Sequence, residues 1–144
     1  MAKTHNTQRQ TETQESPGAA GRAALCLAVI ACGLALRGLG FQLGLPAFVV
    51  KYGGSLLWGT MVFFLVALLL PRRPRATTAL VALAIAICVE LFRLVHMPWL
   101  DAFRLTTAGA LLLGRIFSVW NMVAYVVGIV VGAGLDVLCS RKQE

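Results

Sequence analysis

Glu90 and Arg93 stand three residues apart inside an otherwise apolar stretch, so on a helix they share one face. A carboxylate and a guanidinium so placed can pair, hold a phosphate, or move a proton. Arg37 lies near the end of another apolar stretch, and Ser55 and Trp58 open a third, one turn apart. Asn121, Tyr125, Gly128 and Gly132 follow in a fourth, at spacings that put them on a single helical face. The polar members permit three kinds of chemistry. An Arg37–Glu90 ion pair with an interhelical Asn121 bond would be structural. An anionic head group such as a phosphate would engage arginines left over after the acids are matched; Arg93, Arg104 and Arg115 qualify, since Asp101 is the only other acid nearby. Glu90 as acid or base on a lipid-linked substrate, with Arg37 and Arg93 gripping its phosphate, would be catalytic. With Tyr52, Trp99 and Arg104 at the ends of the same stretches, the candidate pocket comprises Arg37, Tyr52, Ser55, Trp58, Glu90, Arg93, Trp99, Arg104, Asn121 and Tyr125. Gly128-x-x-x-Gly132 is a helix-packing motif that lets a neighbouring helix approach closely.

Other chemistry has no footing in the chain. There is no HExxH, GxSxG, phosphate-binding loop or paired-carboxylate arrangement, so no catalytic residue is assigned. Cys26, Cys32, Cys88 and Cys139 form no CxxC pair and no Cys/His cluster, which leaves no metal site and no cofactor to expect. His96 pairs with Trp99 at the end of a span, and Asp136 is expected to face Arg141 or water.

The elements that must position these residues are four apolar stretches, residues 23–41, 55–70, 77–95 and 119–138. A membrane-spanning helix needs about 20 mostly apolar residues to cross a hydrocarbon layer about 30 Å thick. A hydrophobic content of 58% and a mean hydropathy of +0.78 mark lipid as the solvent, and 144 residues leave no room for a soluble catalytic globule. The fold class is therefore all-α: a polytopic membrane bundle of four transmembrane helices. The net charge of +7 falls at span ends and not along an aromatic-lined stripe, which excludes nucleic acid as a partner.

Residues 1–22 are polar and read as a disordered cytoplasmic tail, followed by the transmembrane domain over 23–138 and a short cytoplasmic tail over 139–144. The first apolar run starts too late and continues too long for a cleaved signal peptide. Pro71-Arg72-Arg73-Pro74-Arg75 is a tight basic turn, because proline ends a helix and three arginines cannot enter hydrocarbon cheaply. A short interfacial segment is expected around 46–50. Residues 105–138 are too long for one span and too short for two, so a short interfacial helix over about 101–113, capped by Asp101, should precede the last span. Four crossings place both termini on one side. That side holds eight Lys and Arg (Lys3, Arg9, Arg22, Arg72, Arg73, Arg75, Arg141, Lys142) against five on the other (Arg37, Lys51, Arg93, Arg104, Arg115). The positive-inside rule then makes both termini cytoplasmic and puts the candidate pocket beneath the outer face.

Lys51-Tyr52-x-Gly54-x-x-x-Trp58, Glu90 with Trp99 and Arg104 behind it, Leu112-Leu113-Gly114-x-x-Phe117 and Tyr125-x-x-Gly128-Ile129 together resemble a bacterial family, domain of unknown function 2809. The likeness runs from about residue 37 to 132. It implies a small four-span protein of the bacterial inner membrane, distantly similar to VanZ-like proteins, and it supplies no activity. The family pattern carries Asp at the position of Ser55, Gln at that of Arg93 and Asp at that of Asn121. This chain thus lacks two acids and has an added cation in the candidate pocket. The expectation is a non-catalytic envelope protein whose outer-leaflet polar pocket binds an anionic lipid head group or a partner helix. The alternatives are a membrane enzyme acting on a lipid-linked substrate and a small transporter subunit. Membrane lipids are the expected partners, with a homo-oligomer or a partner membrane protein besides.

Overall fold

The computed structural model describes residues 18–113 and 117–141. Its helices are α1 (Ala19–Leu39), α2 (Ala47–Leu69), α3 (Arg75–Phe92), α4 (Pro98–Leu105), α5 (Thr107–Leu112) and α6 (Val119–Arg141), with no strand among the described residues. Four of them are long and apolar enough to cross a membrane: α1, α2, α3 and α6. At 1.5 Å per residue the 18 residues of α3 extend about 27 Å, whereas the 8 of α4 and 6 of α5 reach only about 12 and 9 Å. The α4 and α5 helices, which precede the last span, are too short to cross. Four crossings return the start of α1 and the end of α6 to the same end of the bundle.

Local sequence explains the boundaries, including three that differ from expectation. Pro46 (φ −58°, ψ 143°) precedes α2, where its missing N–H is no loss, and Val49 and Val50 donate back to its carbonyl at 2.9 and 3.3 Å. The segment at 46–50 is thus the first turn of α2 and not a separate element. Gly44 makes the preceding turn with φ 74°, a left-handed conformation that favours glycine. The α3 helix ends at Phe92, earlier than expected. Arg93, Leu94 and Val95 then donate to carbonyls three residues back, the tighter 3₁₀ pattern of a closing turn.

The single helix expected over 101–113 is two helices. Met97 and Pro98 start α4, so Asp101 sits inside its first turn instead of capping it. Thr106 (φ −72°, ψ 157°) breaks the run: its hydroxyl oxygen accepts from the Gly109 N–H at 3.1 Å to cap α5, and its O–H donates to the Phe103 carbonyl at 2.6 Å. One side chain serves two helix ends.

The α2 helix is the centre of the bundle, packing on α6 and α1 most extensively and also on α3, which in turn meets α6. Phe63 and Phe64, fully buried and edge-on at 5.6 Å, lead a core completed by Val62, Val66, Ala82 and Ile129. The α6 glycines permit the close crossing with α2. A Cβ on Gly128 would strike the Leu56 carbonyl, and one on Gly132 would lie 2.9 Å from the Phe63 ring. Thr60 donates to the Gly128 carbonyl at 2.8 Å across the same contact. The glycine motif therefore meets a helix of its own chain.

At the end of the bundle that holds the termini, α1, α3 and α6 converge on Asp136, whose side chain is 2% exposed. Arg22 Nε donates to it at 2.6 Å and Arg75 Nε at 2.8 Å, while Arg75 Nη2 reaches Ser140 at 2.8 Å. The expectation that Asp136 faces water is corrected, since two arginines from other helices enclose it; the alternative, Arg141, has its side chain outside the described residues. The α1 helix buries only Cys26 and packs on α2, and it is pinned to α6 at this end.

Candidate functional site

Glu90 is the most completely enclosed charged group among the described residues, at 0% exposure. Its position on α3 turns it towards the start of α6 and the end of α3. Oε2 accepts from Arg93 Nη1 at 2.5 Å and from the Tyr125 hydroxyl at 3.0 Å. Oε1 accepts from the Ser118 N–H at 2.8 Å and Asn121 Nδ2 at 3.3 Å. A carboxylate offers about four acceptor sites, and all are used. Asn121 extends the network through Oδ1, 3.3 Å from the Ser55 hydroxyl on α2. Arg93 is anchored a second time, donating from Nε to the Leu113 carbonyl at 2.5 Å, which ties the end of α5 to the end of α3. The Tyr125 ring lies 5.0 Å from Trp58 at a tilt of 49°, closing the α2–α6 contact above Gly59. Four elements meet around one buried carboxylate.

Beside this network lies a cavity of about 700 Å³, in the range of small-molecule sites. Its walls come from the second half of α1, the first half of α2, α5 and the start of α6. Most of the lining is apolar, including Val29, Ile30, Leu57 and Met61, and Arg37, Lys51 and Arg93 supply cations from three different elements. The cavity sits at the end of the bundle away from the termini, where α1 is no longer pinned to α6.

Of the sequence-predicted site residues, Arg37, Ser55, Trp58, Arg93, Asn121 and Tyr125 line this cavity, and Glu90 stands behind Arg93 in its wall. Three others do not line it. Tyr52 stacks with Lys51, whose Nζ is 5.1 Å from the ring centre, and Trp99 is 66% exposed on α4. Arg104 is buried against the end of α3. It donates to the Phe92 carbonyl at 2.6 Å, the Val95 carbonyl at 2.8 Å and Asp101 at 3.1 Å, and it lies over the Phe92 ring.

Two expectations are corrected here. Glu90 pairs with Arg93 on its own helix, and not with Arg37, which is exposed and forms no ion pair among the described residues. The i,i+3 geometry within α3 outcompetes a partner on a peripheral helix. Nor are Arg93 and Arg104 surplus, because each has a carboxylate and main-chain carbonyls; Arg115 lies outside the described residues. Among the described residues that line the cavity, the cations that remain for a ligand are Arg37 and Lys51, with Arg93 as a shared donor. Sequence reasoning missed Lys51 as a lining residue, although its place one turn before Ser55 was a usable signal. It also missed the convergence of Arg22 and Arg75 on Asp136, for which the only signal was a lone acid inside an apolar span.

The chain belongs to the family described as Protein of unknown function (DUF2809), whose model matches residues 44–129. The match spans α2 to the middle of α6, so it contains Glu90, Arg93, Asn121 and Tyr125 and ends short of α1 with Arg37. No solved structure matches the chain.

Proposed function

We propose that this DUF2809 member is a non-catalytic protein of the bacterial inner membrane, with both termini cytoplasmic, that holds an anionic lipid in its cavity. The observation that carries the proposal is the pairing of an apolar cavity with cations from α1, α2 and the end of α3. Apolar walls suit hydrocarbon, and arginine or lysine at the same mouth suits a phosphate head group. The Glu90 network supports a binding role over an enzymatic one: a carboxylate already accepting four hydrogen bonds has no lone pair left for a substrate proton. With the termini cytoplasmic, the cavity opens towards the outer leaflet. Native mass spectrometry of the full chain released from nanodiscs of mixed neutral and anionic lipid tests the proposal. Anionic lipid should remain bound to the wild type and be depleted in Arg37→Gln with Lys51→Gln. Equal retention of neutral and anionic lipid would defeat it.

A further inference from the structure

We infer that the lipid this cavity selects carries a phosphate monoester, a dianionic head group, in preference to the phosphodiester of ordinary phospholipids. The inference rests on the anionic-lipid reading and narrows it by charge and by donor geometry. Among the described residues Arg37, Lys51 and Arg93 line the cavity, and Glu90 bonded to Arg93 is the one carboxylate in contact with that set, so these groups sum to three positive charges less one, or +2. The other nearby acid, Asp101, is matched by Arg104 outside the cavity lining. A phosphodiester brings one negative charge and leaves one positive charge unmatched. A monoester in its dianionic form cancels the sum.

The donors agree with the charge. A monoester has three unesterified oxygens where a diester has two, and the three cations stand on three separate elements: α1, the first turns of α2 and the turn after α3. Arg93 is held by Glu90 and Leu113, so it is a fixed donor, while Arg37 has no hydrogen-bond or ion-pair partner among the described residues. A head group accepting from both Arg37 and Arg93 would join α1 to the end of α3. Val29 and Ile30 lie two turns before Arg37 on α1, and Leu57 and Met61 lie beyond Lys51 on α2. The apolar lining therefore runs from the cations towards the middle of the bundle, which orients the ligand with its head at the cations and its chain along α1 and α2.

The test uses the full chain in phosphatidylcholine nanodiscs doped with phosphatidic acid or with phosphatidylglycerol of the same acyl chains, read by native mass spectrometry. Phosphatidic acid should be retained about tenfold more than phosphatidylglycerol, the effect of one further charge-assisted hydrogen bond. Arg37→Gln should bring that ratio close to unity, and Lys51→Gln provides the same readout if the first variant does not accumulate. Inorganic phosphate at the same concentration should fail to displace phosphatidic acid; displacement would make the head group alone the ligand and overturn the lipid assignment. Equal retention of the two anionic lipids, both above phosphatidylcholine, would overturn the monoester preference and leave the anionic-lipid reading standing. Retention of neither would remove both. A full preference persisting in Arg37→Gln and Lys51→Gln would overturn the charge count.

Discussion

Glu90→Leu is expected to be the most damaging single change in the membrane region, and its cost can be built from the contacts it removes. The side chain accepts four hydrogen bonds, from Arg93, Ser118, Asn121 and Tyr125. Interhelical hydrogen bonds in membrane proteins average about 0.6 kcal/mol each in double-mutant cycles, so four donors give roughly 2.4 kcal/mol. Stranding a charged partner raises the figure, since breaking a buried pair costs about 3–5 kcal/mol. Arg93 keeps its bond to the Leu113 carbonyl, which argues for the lower part of that range. Glu90→Gln keeps the shape but turns an amide NH₂ towards two donors, and should cost less than Leu and more than nothing. The assay is reversible unfolding in mixed micelles with added dodecyl sulfate, applied to two cycles. Glu90→Leu with Arg93→Leu should show a coupling of about 2 kcal/mol, within the span seen for residues sharing one network. Glu90→Leu with Arg37→Leu should be additive to about 0.5 kcal/mol, because those side chains share no bond. A larger coupling for the Arg37 cycle than for the Arg93 cycle would refute the assignment of Glu90's partner.

Gly128→Val should cost about 3 kcal/mol, the upper end for overpacking, or prevent accumulation, since its Cβ collides with the Leu56 carbonyl of α2 and backbone cannot step aside as a side chain could. Gly134→Val on the same helix, where a Cβ meets nothing within 4 Å, is the matched control and should fold normally in the same micelle assay. Ser16→Cys should resist impermeant thiol reagents in intact cells and react after permeabilisation, as the eight-to-five Lys/Arg asymmetry requires. Strong labelling of intact cells would reverse the topology and place the cavity on the cytoplasmic side.

The contrast between Arg37 and Arg93 shows which part of the site was legible in the chain. Spacing along one helix is fixed by geometry, so Glu90 with Arg93, and Asn121 with Tyr125, could be placed on common faces before any coordinates. Depth was legible too, because span length and the Pro71–Arg75 turn fix how far each polar residue lies from an end. Rotation of a helix about its axis and its place around the bundle were not. Arg37 has a depth suited to Glu90, yet α1 packs on α2 and leaves its arginine at the mouth of a cavity. The same gap hid the Asp136 cluster, whose partners lie 114 and 61 positions away in the chain. Arg104 was misplaced for a related reason: its role at the end of α3 depends on the fold-back that Pro98 and Thr106 impose on α4 and α5.

The two buried acids, Glu90 and Asp136, divide the work of assembly in a way that bears on the cavity. Asp136 gathers α1, α3 and α6 at the end that holds the termini, whereas Glu90 gathers α3 and α6 with the turn before α6 at the other end and has no bond to α1. The α1 helix is thus fixed by an ion pair at one end and by α2 packing along its length, and among the described residues no polar contact joins its other end to α3 or α6. The cavity lies at that other end, lined by α1, α2, α5 and the start of α6. Had Arg37 taken Glu90, as depth alone suggested, α1 would be drawn towards α3 and the Arg37 guanidinium would already be matched. The i,i+3 pairing of Glu90 with Arg93 is therefore what leaves Arg37 available, and a ligand anion at the mouth would play towards α1 the part that Asp136 plays at the opposite end.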